Sequence, residues 1–228
     1  QSYKRKVDKM SKVVLDLCGG TGSWSKPYKD AGYAVVVITL PEYNVGDWWI
    51  TDEVIRFRKQ VWKKDGGEYL DIPLSDIYGV LAAPPCTMFS VARTVAKIPR
   101  DYVGGLATVN NCIKIIQSIQ KHGGSLSFWA LENPRGHLRK FLGKPPYEFK
   151  HWHFEQTDRE KPTDIWGNFN LPKPVNKTKP TTTSVERAKS WGNPGANKPI
   201  GYEHITERAA LRAITPQGFA NAFYKANK

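Results

Sequence analysis

Residues 12–40 read KVVLDLCGGTGSWSKPYKDAGYAVVVITL. KVVLDL, 12–17, has the length and apolar continuity of a buried strand. GGTG follows at 19–22, and a helix is expected from about Ser23 to Ala31, closed by Gly32. YAVVVITL, 33–40, is a second β-branched run, bounded by Pro41. Strand, glycine turn, helix and strand in that order open a doubly wound sheet.

The rest of the chain extends this pattern. IYGVLAA, 77–83, predicts another buried strand and runs into Pro84, Pro85 and Cys86. A helix is predicted over 102–121, because Leu106, Val109, Ile113, Ile116 and Ile119 fall on one face. Gly123 and Gly124 stop it, and SLSFWALEN from residue 125 supplies the next strand. EFKHWHF (148–154) and DIWGNF (164–169) suggest a hairpin. Residues 51–65 suit either a helix capped by Thr51 or a strand through Val54, Ile55 and Phe57. Residues 171–199 are rich in Pro, Lys, Thr and Asn with little periodicity, and 203–226 turn helical around a break at Pro216. Strands alternating with helices give an α/β class with a mostly parallel sheet and helices on both faces. The division expected is a catalytic domain at 1–170, a reduced insert at 171–207 and a C-terminal segment at 208–228.

The chain has 228 residues, 40% of them hydrophobic, enough for one sizeable core. No run of about 18 apolar residues is present, so no membrane partner is expected, and no signal peptide is visible. Lys and Arg number 34 against 21 acids, a net charge of +13. That excess suits a polyanion, because each neutralised phosphate releases a counterion. Cys18, Cys86 and Cys112 are an odd number with no Cys-x-x-Cys pair. This disfavours a disulfide framework and a zinc site and points to the reducing cytoplasm, with no metal. A monomer is the favoured state.

Four stretches carry chemistry. DLCGGTG (16–22) lets a ligand approach the backbone closely beside a helix N-terminus, and without a following Gly-Lys-Ser/Thr it is not a phosphate loop. After the second strand, Glu42 is a candidate for ribose hydroxyls or a solvated loop acid; Asp47 in VGDW is the better candidate, able to hold an adenine amino group. APPCTMFS (83–90) puts Cys86 at the carboxyl end of a central strand, where open α/β sheets bind ligands, behind two stiff prolines. LENPRG (131–136) puts Glu132 on the same rim, where a carboxyl is costly unless paired or engaged in acid–base work. On residue type alone, Cys18 and Cys112 read as packing cysteines.

Together these pieces resemble the cytosine-C5 DNA methyltransferase family, in its compact bacteriophage form. DLCGGTG stands where that family has its first glycine motif. Pro85, Cys86, Phe89 and Ser90 match its Pro-Cys-Gln-x-Phe-Ser motif, with Thr87 in place of Gln. Glu132-Asn133-Pro134 matches Glu-Asn-Val, VGDW the cofactor-side Gly-Asp motif, and ITPQGFANAF (214–223) the closing motif. The Gln-Arg-x-Arg motif is met only in part, by Arg159, Lys161 and Thr163. The resemblance implies a Rossmann-like S-adenosyl-L-methionine-dependent methyltransferase fold with Cys86 and Glu132 catalytic. It assigns the cofactor to Asp16, Cys18, Gly19, Gly20, Gly22, Glu42, Asp47, Trp48 and Pro84, and the substrate to Pro85, Ser90, Asn133, Arg135, Lys161 and Thr163.

The implied reaction is methylation of cytosine C5 in DNA through a covalent adduct of Cys86 at C6. A stacked base is out of reach, so the target flips out or is single-stranded. Trp152, Trp166 and Trp191 are candidates for stacking on it or for packing, and Lys173, Lys177, Lys179 and Lys189 for tracking phosphates. Two alternatives stay open. One is a related modification of RNA, or of a pyrimidine with a group other than methyl. The other is a relative that binds nucleic acid without catalysis.

Overall fold

The computed structural model describes residues 12–60, 67–91, 93, 97–157, 160–181, 201–206 and 208–228. The chain is a mixed α/β fold around a six-stranded sheet. Its strands are β1 (Val13–Leu17), β2 (Ala34–Ile38), β6 (Ile77–Ala82), β7 (Phe128–Pro134), β8 (Tyr147–Phe149) and β9 (Thr163–Asn168), in the spatial order β2-β1-β6-β7-β9-β8. β2, β1, β6 and β7 run parallel, and β9 slots in antiparallel between β7 and β8. The chain moves outward from β1 to β2 and later returns to β6 on the other side of β1. That reversal opens a crevice at the carboxyl ends of β1 and β6.

All five residues of β1 are buried, as a strand covered on both faces requires. Alternation sends Val13, Leu15 and Leu17 into one core with Val80, Ala82 and the inner face of α2 (Tyr102–Lys121). On α2, Val109, Cys112, Ile115, Ile116 and Ile119 are buried, while Leu106 and Ile113 pack at its margin. Val14, Leu81, Phe128 and Ala130 face the other way, onto Tyr28 of α1 (Lys26–Asp30) and Phe219 and Phe223 near the C-terminus. In that second core the Phe149 and Phe219 rings stack at 3.8 Å.

Between β2 and β6 lies a separate antiparallel sheet, β3 (Tyr43–Thr51), β4 (Val54–Lys59) and β5 (Tyr69–Pro73). Residues 54–59 of the ambiguous stretch are therefore strand, and 61–66 lie outside the described residues. Ile55, Phe57 and Ile72 are buried, and Trp48, Ile50 and Leu70 pack beside them against the α2 side of the core.

The expected hairpin forms between β8 and β9, although His151–His153 is a single 3-10 turn rather than strand. The break at Pro216 separates two helices, α4 (Arg208–Ala213) and α5 (Gln217–Ala226), after the four-residue helix α3 (Arg139–Leu142). The C-terminal segment returns to the first unit: Thr215 donates its N–H to Ser23 Oγ at 2.9 Å, beside the glycine turn. Residues 182–200, most of the expected insert, lie outside the described residues. Among the described residues no helix is long and apolar enough to cross a membrane.

Candidate active site

Cys86 and Glu132 rise from the carboxyl ends of neighbouring parallel strands. β6 pairs with β7 as far as Ala82↔Leu131, so Glu132 is the next residue on one strand and Cys86 lies four residues past the other. Both residues are half-buried. Burial pushes the Cys86 thiol above its ordinary value, and the Glu132 charge pushes it further, against the pull of Lys161 and Arg212. Burial likewise lifts Glu132 to about 7; Lys161 opposes the rise and Asp164 adds to it. A buried carboxylic acid that is half protonated near neutrality can donate a hydrogen bond or a proton.

The backbone around Cys86 is pinned. Its carbonyl accepts from Phe89 N–H at 2.9 Å and Ser90 N–H at 2.8 Å, closing one helical turn. Arg100 donates to the carbonyls of Met88 at 2.8 Å and Ser90 at 3.0 Å, and Ser90 O also accepts from Arg93 N–H at 3.2 Å. Asn133, fully buried, donates to Pro84 O at 3.0 Å and ties β7 to the residues before the cysteine. Ser90 bridges to Gly136, whose backbone lies so close to Phe89 that a Cβ would stand 2.3 Å from the Phe89 carbonyl oxygen. Only glycine fits there.

The glycine turn is built to be approached. Cys18 (φ 57), Gly20 (φ 54) and Gly22 (φ 67) take the left-handed conformation, and nothing lies within 4 Å of where a Gly20 Cβ would stand. Asp16, read as a cofactor residue, is fully buried beneath this turn. It accepts a hydrogen bond from Ser25 Oγ at 2.6 Å, and a Cβ on Gly19 would lie 2.3–2.5 Å from its carboxyl atoms. Its place is under the turn, as a brace. The Cys18 and Cys112 sulfurs touch at 4.0 Å.

The remaining candidates are spread more widely. Pro84 is buried and Pro85 exposed. Glu42 is exposed and 3.5 Å from Lys59; Asp47 accepts from Gln60 at 3.1 Å with Arg58 at 3.7 Å; Trp48 packs against the core. Lys161 donates to the backbone carbonyl of Arg212 at 2.8 Å, and buried Thr163 donates to Lys161 O at 3.1 Å. Arg135 lies 3.7 Å from Glu148 on the surface. Arg159 lies outside the described residues.

Of the tryptophans, Trp166 is a core residue bonded to Gly143 O at 3.1 Å, whereas Trp152 is half-buried against His153. Trp191 and Lys189 fall outside the described residues. Lys173, Lys177 and Lys179 are exposed, Lys179 with Glu160 at 2.9 Å.

Three arginines escaped the sequence reading: Arg100, Arg212, and Arg139, whose Nε donates to the fully buried Asp164 at 2.7 Å. Arg139 also bonds the other Asp164 oxygen and Glu148. No sequence motif marked them, because each acts across a tertiary contact. Among the described residues no cluster of three or more His, Cys, Asp or Glu side chains could hold a metal ion. No protein-family model matches the chain, and no curated protein matches it. The functional reading therefore rests on the residues and their arrangement.

Asp16 carries a testable consequence for stability. Burial lifts its carboxyl to about 6 against an ordinary 3.8, with the Ser25 hydroxyl opposing. The folded chain then holds a proton that the unfolded chain has released, so stability falls as pH climbs from about 4 to 6 and stays lower above that. Asp16→Asn keeps an acceptor for Ser25 and removes the buried charge. Denaturant melts at pH 8 are expected to show the variant stabilised by roughly 1–2 kcal/mol, with the gain gone at pH 4. A variant destabilised at pH 8 would mean that the charge is held there by a partner.

Proposed function

We propose that the chain is an S-adenosyl-L-methionine-dependent cytosine-C5 methyltransferase with a Rossmann-like fold, acting on DNA. One observation carries the reading: a half-buried thiol and a half-buried carboxyl stand at the carboxyl ends of adjacent parallel strands, close enough for the carboxylate charge to shift the thiol. A pyrimidine ring needs such a pair on opposite edges, a nucleophile at C6 and an acid at N3.

In this reading the Cys86 thiolate adds to C6. The new S–C6 bond takes the π electrons of C5=C6 into the ring, and Glu132, protonated, offers its proton to N3, where negative charge develops. C5 becomes enamine-like and nucleophilic. Lys161, whose charge reaches both Cys86 and Glu132, suits the O2 edge between C6 and N3. After methylation a base takes the C5 proton, its bonding electrons re-form C5=C6, the S–C6 bond breaks to restore the thiolate, and N3 returns its proton to Glu132.

The glycine turn fits the implied cofactor, because its left-handed residues leave open space above Gly20. Gly19, Gly20, Gly22 and Cys18 would hold it through the backbone, with Glu42, Asp47, Trp48 and Pro84 added by resemblance. When bound, S-adenosylmethionine supplies an electrophilic methyl group. The net charge of +13 supports a phosphate-bearing partner, and three free thiols suit a reducing cytoplasm.

Mass analysis of nucleosides after incubation with S-adenosylmethionine tests this. 5-Methylcytosine from DNA is the expected product. A product only in RNA, or a group other than methyl, would move the assignment to the related modification. Failure to bind the cofactor would leave a binding protein without catalysis.

A further inference from the structure

The Cys18 and Cys112 sulfurs, 94 residues apart in the chain, stand 4.0 Å from each other. Cys112 is fully buried on the inner face of α2, and packing alone accounts for it. Packing does not account for Cys18. Its backbone is left-handed, φ 57, in a turn where Gly20 and Gly22 take that conformation without a Cβ in the way. Among the described residues the other non-glycine residue at positive φ is Asp52, whose short polar side chain suits that region as a thiol does not. The Cys18 N–H donates to Ile38 O at 2.8 Å, at the end of β2, which fixes the backbone that aims the side chain. The outcome is a half-buried sulfur in the glycine turn, held against a buried one on α2.

A disulfide sets its sulfurs about 2.05 Å apart, so an approach of about 2 Å closes this pair. We propose that Cys18 and Cys112 are an oxidation site, which a peroxide links into a disulfide tying the glycine turn to α2 and which a dithiol reductant releases. The half-buried Cys18 thiolate attacks one peroxide oxygen and the O–O bond breaks. Cys18 becomes a sulfenic acid, and the departing hydroxide takes up the proton released by the thiol, as water. The Cys112 sulfur then attacks the Cys18 sulfur. The S–O bond breaks, and the hydroxyl leaves with the Cys112 proton as a second water. Two thiols lose two electrons and two protons, and one peroxide is reduced to two waters. Contact with Cys18, and burial after it, hold the Cys112 thiol well above its ordinary value, which gives the first step to Cys18. In a reducing compartment such a link is transient and reports oxidation. One consequence rests on the cofactor reading above: a link that draws Cys18 toward α2 shifts the backbone at Gly19 and Gly20 and weakens binding of S-adenosylmethionine.

In the experiment the protein is treated with a small excess of hydrogen peroxide, its remaining thiols are blocked with iodoacetamide, and it is digested without reductant and mapped by mass spectrometry. The expected result is one linked pair of peptides, Cys18 to Cys112, lost after dithiothreitol. A link that includes Cys86, or no link at all, overturns the proposal. Cys112→Ala removes the second sulfur, so peroxide should leave Cys18 as a sulfenic acid that dimedone labels several-fold more than in the wild type. Equal labelling in the two proteins overturns the order of steps. S-adenosylmethionine is then titrated into reduced and oxidised wild type. The oxidised protein is expected to bind about 10-fold more weakly, since displacements of about 1 Å at a site have effects of that order or larger, and dithiothreitol should restore the affinity. Equal affinity in the two states overturns the consequence for the cofactor. Reduced protein that does not bind S-adenosylmethionine overturns the cofactor reading, whereas the peptide map judges the link by itself.

Discussion

Glu132→Gln is expected to change Cys86 in two opposite ways: faster alkylation by iodoacetamide at pH 8, and methyl transfer cut by about 10²–10⁴-fold. The carboxyl titrates near 7, so at pH 8 it is mostly ionised and holds the thiol up. Glutamine removes that charge, the thiolate fraction rises, and alkylation follows it. Glutamine has no acid proton to give N3, so the chemical step suffers. The wild-type pH profile carries the same signature. Productive enzyme needs Glu132 protonated and Cys86 ionised, while the acid titrates below the thiol. That form is a constant minor fraction between the two values and declines on either side. The rate should therefore fall below about pH 7, stay level above it, and fall again as the thiol titrates. Alkylation that slows in Glu132→Gln, or activity that survives it, would contradict the proximity of the two groups.

Cys86→Ala is the second large effect. Methyl transfer is expected to drop by about 10⁴-fold or more, as when an enzyme loses the nucleophile of a covalent mechanism. The fold should survive, because Cys86 is half-buried on a turn held by backbone bonds from Phe89 and Ser90 and by Arg100. Thermal melting within a few degrees of wild type, unchanged DNA binding and absent methylation together are the expected outcome. Retained methylation would remove Cys86 from the chemistry.

The parallel half of the fold was legible because its strands are short apolar runs, fully buried in β1 and mostly half-buried in the edge strand β2. VVLDL and AVVVI are short, almost wholly apolar runs on either side of the glycine turn, and IYGVLA at β6 repeats the pattern. Of the β3–β5 sheet only β4 was legible, as one of two alternatives. A register irregularity between Tyr43 and Trp48 breaks the alternation that would have marked β3, whereas β4 keeps it, with buried Ile55 and Phe57 alternating with Arg56 and Arg58. The insertion of β9 between β7 and β8 was also hidden, since pairing across the sheet leaves no local mark. The placement of Cys86 and Glu132 after neighbouring strands was legible because each follows a buried apolar run. The burial of Asp16 beneath the glycine turn was not legible, because an acid before such a turn reads the same whether it faces outward or lies under it. Arg100, Arg139 and Arg212 sit in a loop and two short helices, and only tertiary contact gives each its partner.

The most direct measurement is the trapping of a covalent complex. The protein is incubated with S-adenosylmethionine and a DNA oligonucleotide in which 5-fluorocytosine replaces the target base, then denatured, digested and analysed by mass spectrometry. Fluorine at C5 cannot leave as a proton, so the S–C6 bond should persist and the oligonucleotide should be found on the peptide that contains Cys86. An oligonucleotide that comes away freely while ordinary cytosine is methylated, or an adduct mapped to Cys18 or Cys112, would contradict the account.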